Sequence, residues 1–150
     1  MEKRIVEYTI NCATEKKVYE HLVTCDENFM PPISLRINIR EYASKITAHA
    51  VTFEAWQNDV LVGLIAVYAN NLTGSTAFIT NVSVVKDHMG NGIASELMEK
   101  LISYVAEKGF TDIGLEVNKT NQQAIYFYGK FNFEQDSTKD DLLIMKKRIH

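Results

Sequence analysis

The stretch from Thr76 to Val105 limits the fold more than any other part of this chain. Ala77, Phe78, Ile79, Val82, Val84 and Val85 are apolar and mostly β-branched or aromatic, which reads as a strand. A polar link, Lys86-Asp87-His88, leads to Gly90 and Gly92. Ile93, Leu97, Met98, Leu101, Ile102 and Val105 then form one apolar stripe at helical spacing. The helix is expected to stop at Lys108-Gly109, where a basic last turn meets a glycine suited to a left-handed C′ position.

A helix that starts on glycines is a natural anion site. Its first amides have no partner inside the helix, and the macrodipole puts partial positive charge there. Without Cβ atoms, Gly90 and Gly92 would let a phosphate reach the backbone. On the local pattern alone, a phosphate cradle and a plain strand-to-helix turn stand level. The Gly-Lys-Ser/Thr of a P-loop is missing. A dinucleotide fingerprint fits poorly: Ser95 holds its third glycine position, and Asp112, the acidic residue downstream, begins a strand rather than ending one.

One domain over residues 1–150 is the expectation from length. A net charge of −3 provides no field for nucleic acid or an anionic membrane. No run approaches the ~18 apolar residues of a membrane span, and Met1-Glu2-Lys3-Arg4 leads into no signal-peptide core, so a cytoplasmic location is expected. Cys12 and Cys25 have no metal-ligating companions at a suitable spacing; they read as free thiols, and no metal is expected. Without secretion, the sequon Asn71-Leu72-Thr73 is a chance match.

In chain order, Arg4–Ile10 alternates as a first strand, and Thr14–Thr24 is helical with Thr14 as N-cap. Asp26–Ile33, with Pro31-Pro32, is loop. Leu35–Ala50 is periodic again, with Asn38 capping its productive part. Val51–Trp56 and Val60–Tyr68 form a hairpin around Asn58-Asp59, and Gly63 marks a bulge or a close contact. Asn70–Ser75 is a second turn, Ile113–Val117 a strand parallel to the central one, Asp136–Asp141 a hairpin loop and Leu142–Ile149 the last strand. The fold class is α/β (α+β): a mixed, mostly antiparallel twisted sheet of about six or seven strands with about four helices.

Two motifs carry a family resemblance. Met89-Gly90-Asn91-Gly92-Ile93-Ala94 resembles the acetyl-CoA loop of the GNAT superfamily of acyltransferases, Arg/Gln-x-x-Gly-x-Gly/Ala, after a strand ending in Val82-x-Val84. Met89 departs from the usual Arg or Gln; Lys86 or His88 could supply the missing charge. Downstream, Leu115-Glu116-Val117, then Asn121-Gln122-Gln123-Ala124-Ile125-Tyr126-Phe127-Tyr128, then Lys130-Phe131-Asn132-Phe133 resembles the family's closing pattern, with Asn132 for the usual Gly. Asn tolerates the left-handed conformation that Gly would adopt there. The resemblance covers about Val60 to Phe133 and hardly touches the first 50 residues.

The resemblance implies a sheet whose central strands splay apart, acetyl-CoA as cosubstrate, and acetyl transfer to a primary amine. Cofactor contacts would fall on Val82, Ser83, Val84, Met89, Gly90, Asn91, Gly92, Ile93, Ala94, Asn121 and Tyr128. Tyr128 stands on the family's proton donor to the departing thiolate, a role that a phenol's pKa suits; the plainer alternative is that Tyr128 packs the core. Tyr126 is assigned to packing. Relatives often carry a carboxylate where Thr80 and Asn81 stand here. Glu116, Glu54 and His49 are the remaining bases, besides water; a lone strand Glu more often faces solvent, and a His at a helix end is more often structural. Phe29, Arg36 and Glu116 are candidate substrate contacts, the first two suiting a small molecule with an anionic or polar handle, or else simply packing beside a surface cation. The reading is N-acetyl transfer to a small primary amine, with a non-catalytic acyl-CoA sensor and a protein acetyltransferase as alternatives. The resemblance also allows a homodimer.

Overall fold

The computed structural model describes residues 5–69 and 76–149; the expected turn Asn70–Ser75, its sequon, and Met1–Arg4 lie outside them. The elements are β1 (Glu7–Ile10), α1 (Glu15–Cys25), α2 (Ile39–His49), β2 (Val51–Gln57), β3 (Val60–Tyr68) and β4 (Thr76–Val84). Then follow α3 (Ile93–Glu107), β5 (Asp112–Asn118), α4 (Gln122–Lys130), β6 (Glu134–Lys139) and β7 (Leu142–Arg148). They build a seven-stranded sheet in the order β1-β2-β3-β4-β5-β7-β6, antiparallel except between β4 and β5.

β3 explains the layering. It is apolar almost throughout and buried on both faces. Leu61, Leu64 and Ala66 pack with Val18 and Leu22 of α1 and with Ala43 and Ile46 of α2. On the opposite face Val62, Ile65 and Val67 join the α3 stripe, in which Leu97, Met98, Leu101 and Val105 are fully buried. Each such side chain contributes roughly 1.5–3 kcal/mol by leaving water, so the central face of the sheet holds α3 firmly. Gly63 serves both purposes expected of it. The register slips beside it, and a Cβ there would lie 2.7 Å from Cγ2 of Ile93. The first turn of α3 therefore sits directly on β3.

The caps of the first two helices are those read from the sequence. The Lys17 amide donates to Thr14 Oγ1 and the Glu41 amide to Asn38 Oδ1. At α4 the Ala124 amide donates to Asn121 Oδ1, while Thr120 turns its hydroxyl to Asn118. Gly109 and Asn132 hold the expected positive φ, at 86° and 68°.

Three expectations need correction. Most of Asp136–Asp141 is strand, not loop: β6 pairs with β7 and only Asp140-Asp141 turn. Every side chain of β6 is exposed, so no apolar alternation marks it; its main-chain bonds to β7 alone hold it. Asp26–Ile33 is not purely irregular, because single 3-10 turns form at Asp26–Asn28 and Ile33–Leu35. Tyr126 does not pack the core: it is 71% exposed on the outer face of α4, with the Lys130 ammonium over its ring.

Candidate active site

β4 and β5 run in parallel only from Thr76/Asp112 to Ile79/Leu115. Beyond that point β4 continues to Val84 against β3, and β5 continues to Asn118 against β7, so the two central strands part. A bulge coincides with the parting. Val67 pairs with Ile79 and Ala66 with Asn81, which leaves Thr80 as an extra residue. Tyr42 of α2 fixes it, donating its hydroxyl hydrogen to the Thr80 carbonyl at 2.7 Å with Thr80 Oγ1 2.8 Å away. Burial raises the Tyr42 pKa to about 12, which keeps this phenol neutral. The splay inferred by resemblance is thus present, and it opens a cleft of about 370 Å³.

Ile79 to Val82 form one wall of the cleft and Leu115 to Asn118 the other. Asn121, Ala124 and Tyr128 of α4 line it as well. The Tyr128 ring leans edge-on against Phe127 and Phe133, and no protein group among the described residues takes its hydroxyl hydrogen. Burial pushes its pKa above that of an ordinary phenol, so Tyr128 stays protonated. Packing and an unspent donor coexist in this one residue. Asn121 spends its oxygen on the α4 cap.

β4 leads through the 3-10 turn Lys86–His88 to the glycines. Gly90 and Gly92 have φ of 82° and 80°, and a Cβ on either would meet nothing within 4 Å. It is therefore left-handed backbone, not crowding, that calls for glycine here. Gly92 is the N-cap of α3 and no side chain closes that turn, which leaves the first amides open. Ile93 is 3% exposed, so its side chain is core and its main chain is what it can offer a ligand. Met89 is 47% exposed. His88 is engaged elsewhere, its Nε2 2.6 Å from Gln57 Oε1.

The α1–α2 side of the cleft is lined by Phe29, Met30, Ile33, Arg36 and Tyr42, with the exposed carboxylate of Glu116 on β5. Asp26 clips this loop by accepting from the amide and hydroxyl of Ser34, bonds that hold its carboxyl below the usual range. Phe29, Arg36 and Glu116 therefore line the same cleft. Glu54 does not. It is fully buried and accepts from Thr9 and Thr52 hydroxyls and from the Cys12 and Ala13 amides. Solvent was the expected side for such a strand Glu, and four donors account for the difference. His49 ends α2 away from the cleft lining.

Sequence reasoning missed one group. His21 of α1 is buried, with Nδ1 2.8 Å from the Leu61 carbonyl and Nε2 2.8 Å from Ser83 Oγ. The Ser83 hydroxyl in turn donates to Asn81 Oδ1 at 2.7 Å, and Asn81 lines the cleft. The Ser83 hydroxyl is thereby spent, leaving its main chain for any cofactor contact. Burial lowers the His21 pKa to about 4, so the ring is neutral. Only its spacing from Val18, Leu22 and Cys25 on the buried face of α1 could have marked it. Both cysteines are free, and no cluster of metal-ligating side chains occurs among the described residues.

The family model for "Acetyltransferase (GNAT) family" matches residues 16–133. The chain belongs to this family. GNAT members are acyltransferases, and the parted strands, bulge and open glycine turn are this chain's version of the fold. N-alpha-acetyltransferase 30 of Schizosaccharomyces pombe is 29% identical over 84 residues, covering 55% of this chain and 56% of that protein. The chain thus spans about half the length of that curated relative. Two solved structures share the fold. The ribosomal-protein-S18-alanine N-acetyltransferase of Escherichia coli has a TM-score of 0.74 at 20% identity, covering 95% of this chain and 94% of that one. The PaiA N-acetyltransferase of Thermoplasma acidophilum, in complex with coenzyme A, has a TM-score of 0.75 at 17% identity, covering 95% and 99%. No helix among the described residues is long and apolar enough to cross a membrane.

Proposed function

We propose that this GNAT chain transfers the acetyl group of acetyl-CoA to a primary amine of a small molecule that carries an anionic group. The observation that carries the reading is the cleft between β4 and β5, with the Tyr128 phenol and the Glu116 carboxylate on its walls. The uncapped first turn of α3 suits the diphosphate, through main-chain amides from Met89 to Ala94. Unpaired main chain of β4 around Val82, Ser83 and Val84 suits the amide groups of the pantetheine arm, with Asn121 beside it. Bound there, acetyl-CoA supplies the thioester.

The chain's own residues then have separate tasks. Glu116, exposed in the cleft, takes the ammonium proton directly or through water, because only a neutral amine is nucleophilic. Tyr128, neutral through burial, gives its proton to the leaving thiolate. Arg36 faces the same cleft and suits a carboxylate or phosphate on the acceptor. A second reading, acetylation of a peptide α-amino group, is favoured by the name of the fission-yeast relative.

Thiol release from acetyl-CoA, followed with amino acids, amino sugars, polyamines and short peptides, tests both. Turnover with a small acidic amine above that with peptides is expected. Preference for peptides would replace the acceptor class, and acetyl-CoA bound but never consumed would leave only a sensor.

A further inference from the structure

The bulge in β4 turns the strand over. Ala77 and Ile79 pack into the α3 side of the sheet, whereas Ser83, four residues beyond Ile79, meets His21 of α1 on the other side. An extended chain returns to the same face every two residues, so the extra residue, Thr80, has exchanged the faces. The main chain has a phase as well. The Val85 amide donates to the Val62 carbonyl, and antiparallel pairs alternate between bonded and non-bonded. Counting back along the register, Asn81 bonds its partner Ala66, and Val82, opposite Ile65, turns its amide to the far edge. A trans peptide sets the Thr80 carbonyl opposite to the Asn81 N–H, and so on that same far edge.

The Thr80 carbonyl and the Val82 N–H are the two groups that one residue of a parallel neighbour would bind, giving its N–H to the first and its carbonyl to the second. β5 would be that neighbour, but its pairing with β4 ends at Ile79/Leu115. Tyr42 takes the strand's place at the carbonyl, donating at 2.7 Å. The phenol is itself held: Asn81, whose Oδ1 accepts from Ser83, gives an N–H to the Tyr42 oxygen. Half of the strand's bonding is thus supplied by a side chain that brings no carbonyl, and the Val82 amide keeps its hydrogen on the cleft wall. We infer that Tyr42 is a positioning residue for acetyl transfer, occupying the Thr80 carbonyl so that β5 stays away and the Val82 N–H is free to donate to the thioester oxygen. The inference rests on the acetyltransferase reading. That oxygen gathers negative charge as the amine's lone pair adds to the carbonyl carbon, and gives it up when the C–S bond breaks. An N–H beside it favours the charge; a bare Thr80 carbonyl on the same edge would oppose it.

The test begins on the wild-type chain without substrate. Hydrogen exchange followed by NMR is expected to show the Asn81 amide protected and the Val82 amide exchanging as an open one does. A Val82 amide as slow as that of Asn81 overturns the inference, because its hydrogen is then spent inside the protein. Kinetics follow with the best amine. Tyr42→Phe keeps the ring and removes only the hydroxyl. Its kcat is expected to fall about tenfold, the weight of one hydrogen bond, while KM for the amine and acetyl-CoA affinity by calorimetry stay within about twofold. A role in stability alone would lower the melting temperature and spare kcat. That outcome, or a rise in KM with kcat unchanged, overturns the inference while leaving the acetyltransferase reading intact. A wild-type chain that binds acetyl-CoA and acetylates no amine removes the functional reading and this inference together.

Discussion

The two sides of the cleft are built from different material. The side proposed for the cofactor is main chain: left-handed glycines, an uncapped helix turn and a stretch of β4 unpaired toward β5. The side proposed for the amine is side chains from separate elements: Arg36 from the loop, Tyr42 from α2, Asn81 from β4 and Glu116 from β5. A main-chain site tolerates a changed side chain, and Met89 beside these glycines is 47% exposed. A side-chain site does not, and its composition can set which acceptor is used.

The sharpest way to separate the two sides is Tyr128→Phe. Turnover is expected to fall about 100- to 1000-fold, as for loss of a general acid, with acetyl-CoA affinity by calorimetry held within about twofold. Unchanged turnover would mean that water protonates the thiolate.

The helix that carries His21 should also respond to acid. His21 is neutral in the fold, its pKa lowered to about 4 from 6.5 by burial. Between those values the unfolded chain binds more protons than the folded one, so stability falls as pH drops from about 6.5 to about 4. The loss amounts to about 3 kcal/mol. Thermal melts across that range should lose this slope in His21→Gln; retention of the whole slope would assign it to other groups.

Gly92→Ala tests the main-chain side. A left-handed φ costs a side chain about 1–2 kcal/mol, so acetyl-CoA should bind about tenfold more weakly while KM for the amine stays put. The smallest effect is expected from Met89→Ala, whose side chain is largely in solvent: a change in acetyl-CoA affinity of less than about twofold. A larger loss would show that the sulfur-bearing side chain contributes binding of its own.

This contrast also explains what could be read from the chain. Glycines, caps and the α3 stripe act over a few neighbouring residues, so Thr14, Asn38, Gly90 and Gly92 are legible locally. Tyr128 and Glu116 were reachable through motif spacing. His21 was not, because its partners Leu61 and Ser83 lie 40 and 62 residues away. Glu54 misled for the same reason, its donors Thr9, Cys12 and Ala13 being 41 to 45 residues distant. β6 escaped because a strand held only by main-chain bonds at a sheet edge needs no apolar pattern.

The buried carboxylate of Glu54 reaches further than its own neighbourhood. By gripping the amides of Cys12 and Ala13 it anchors the root of α1, two turns ahead of the imidazole on that helix. The helix that carries His21 is therefore moored through its root to a strand that lines none of the cleft.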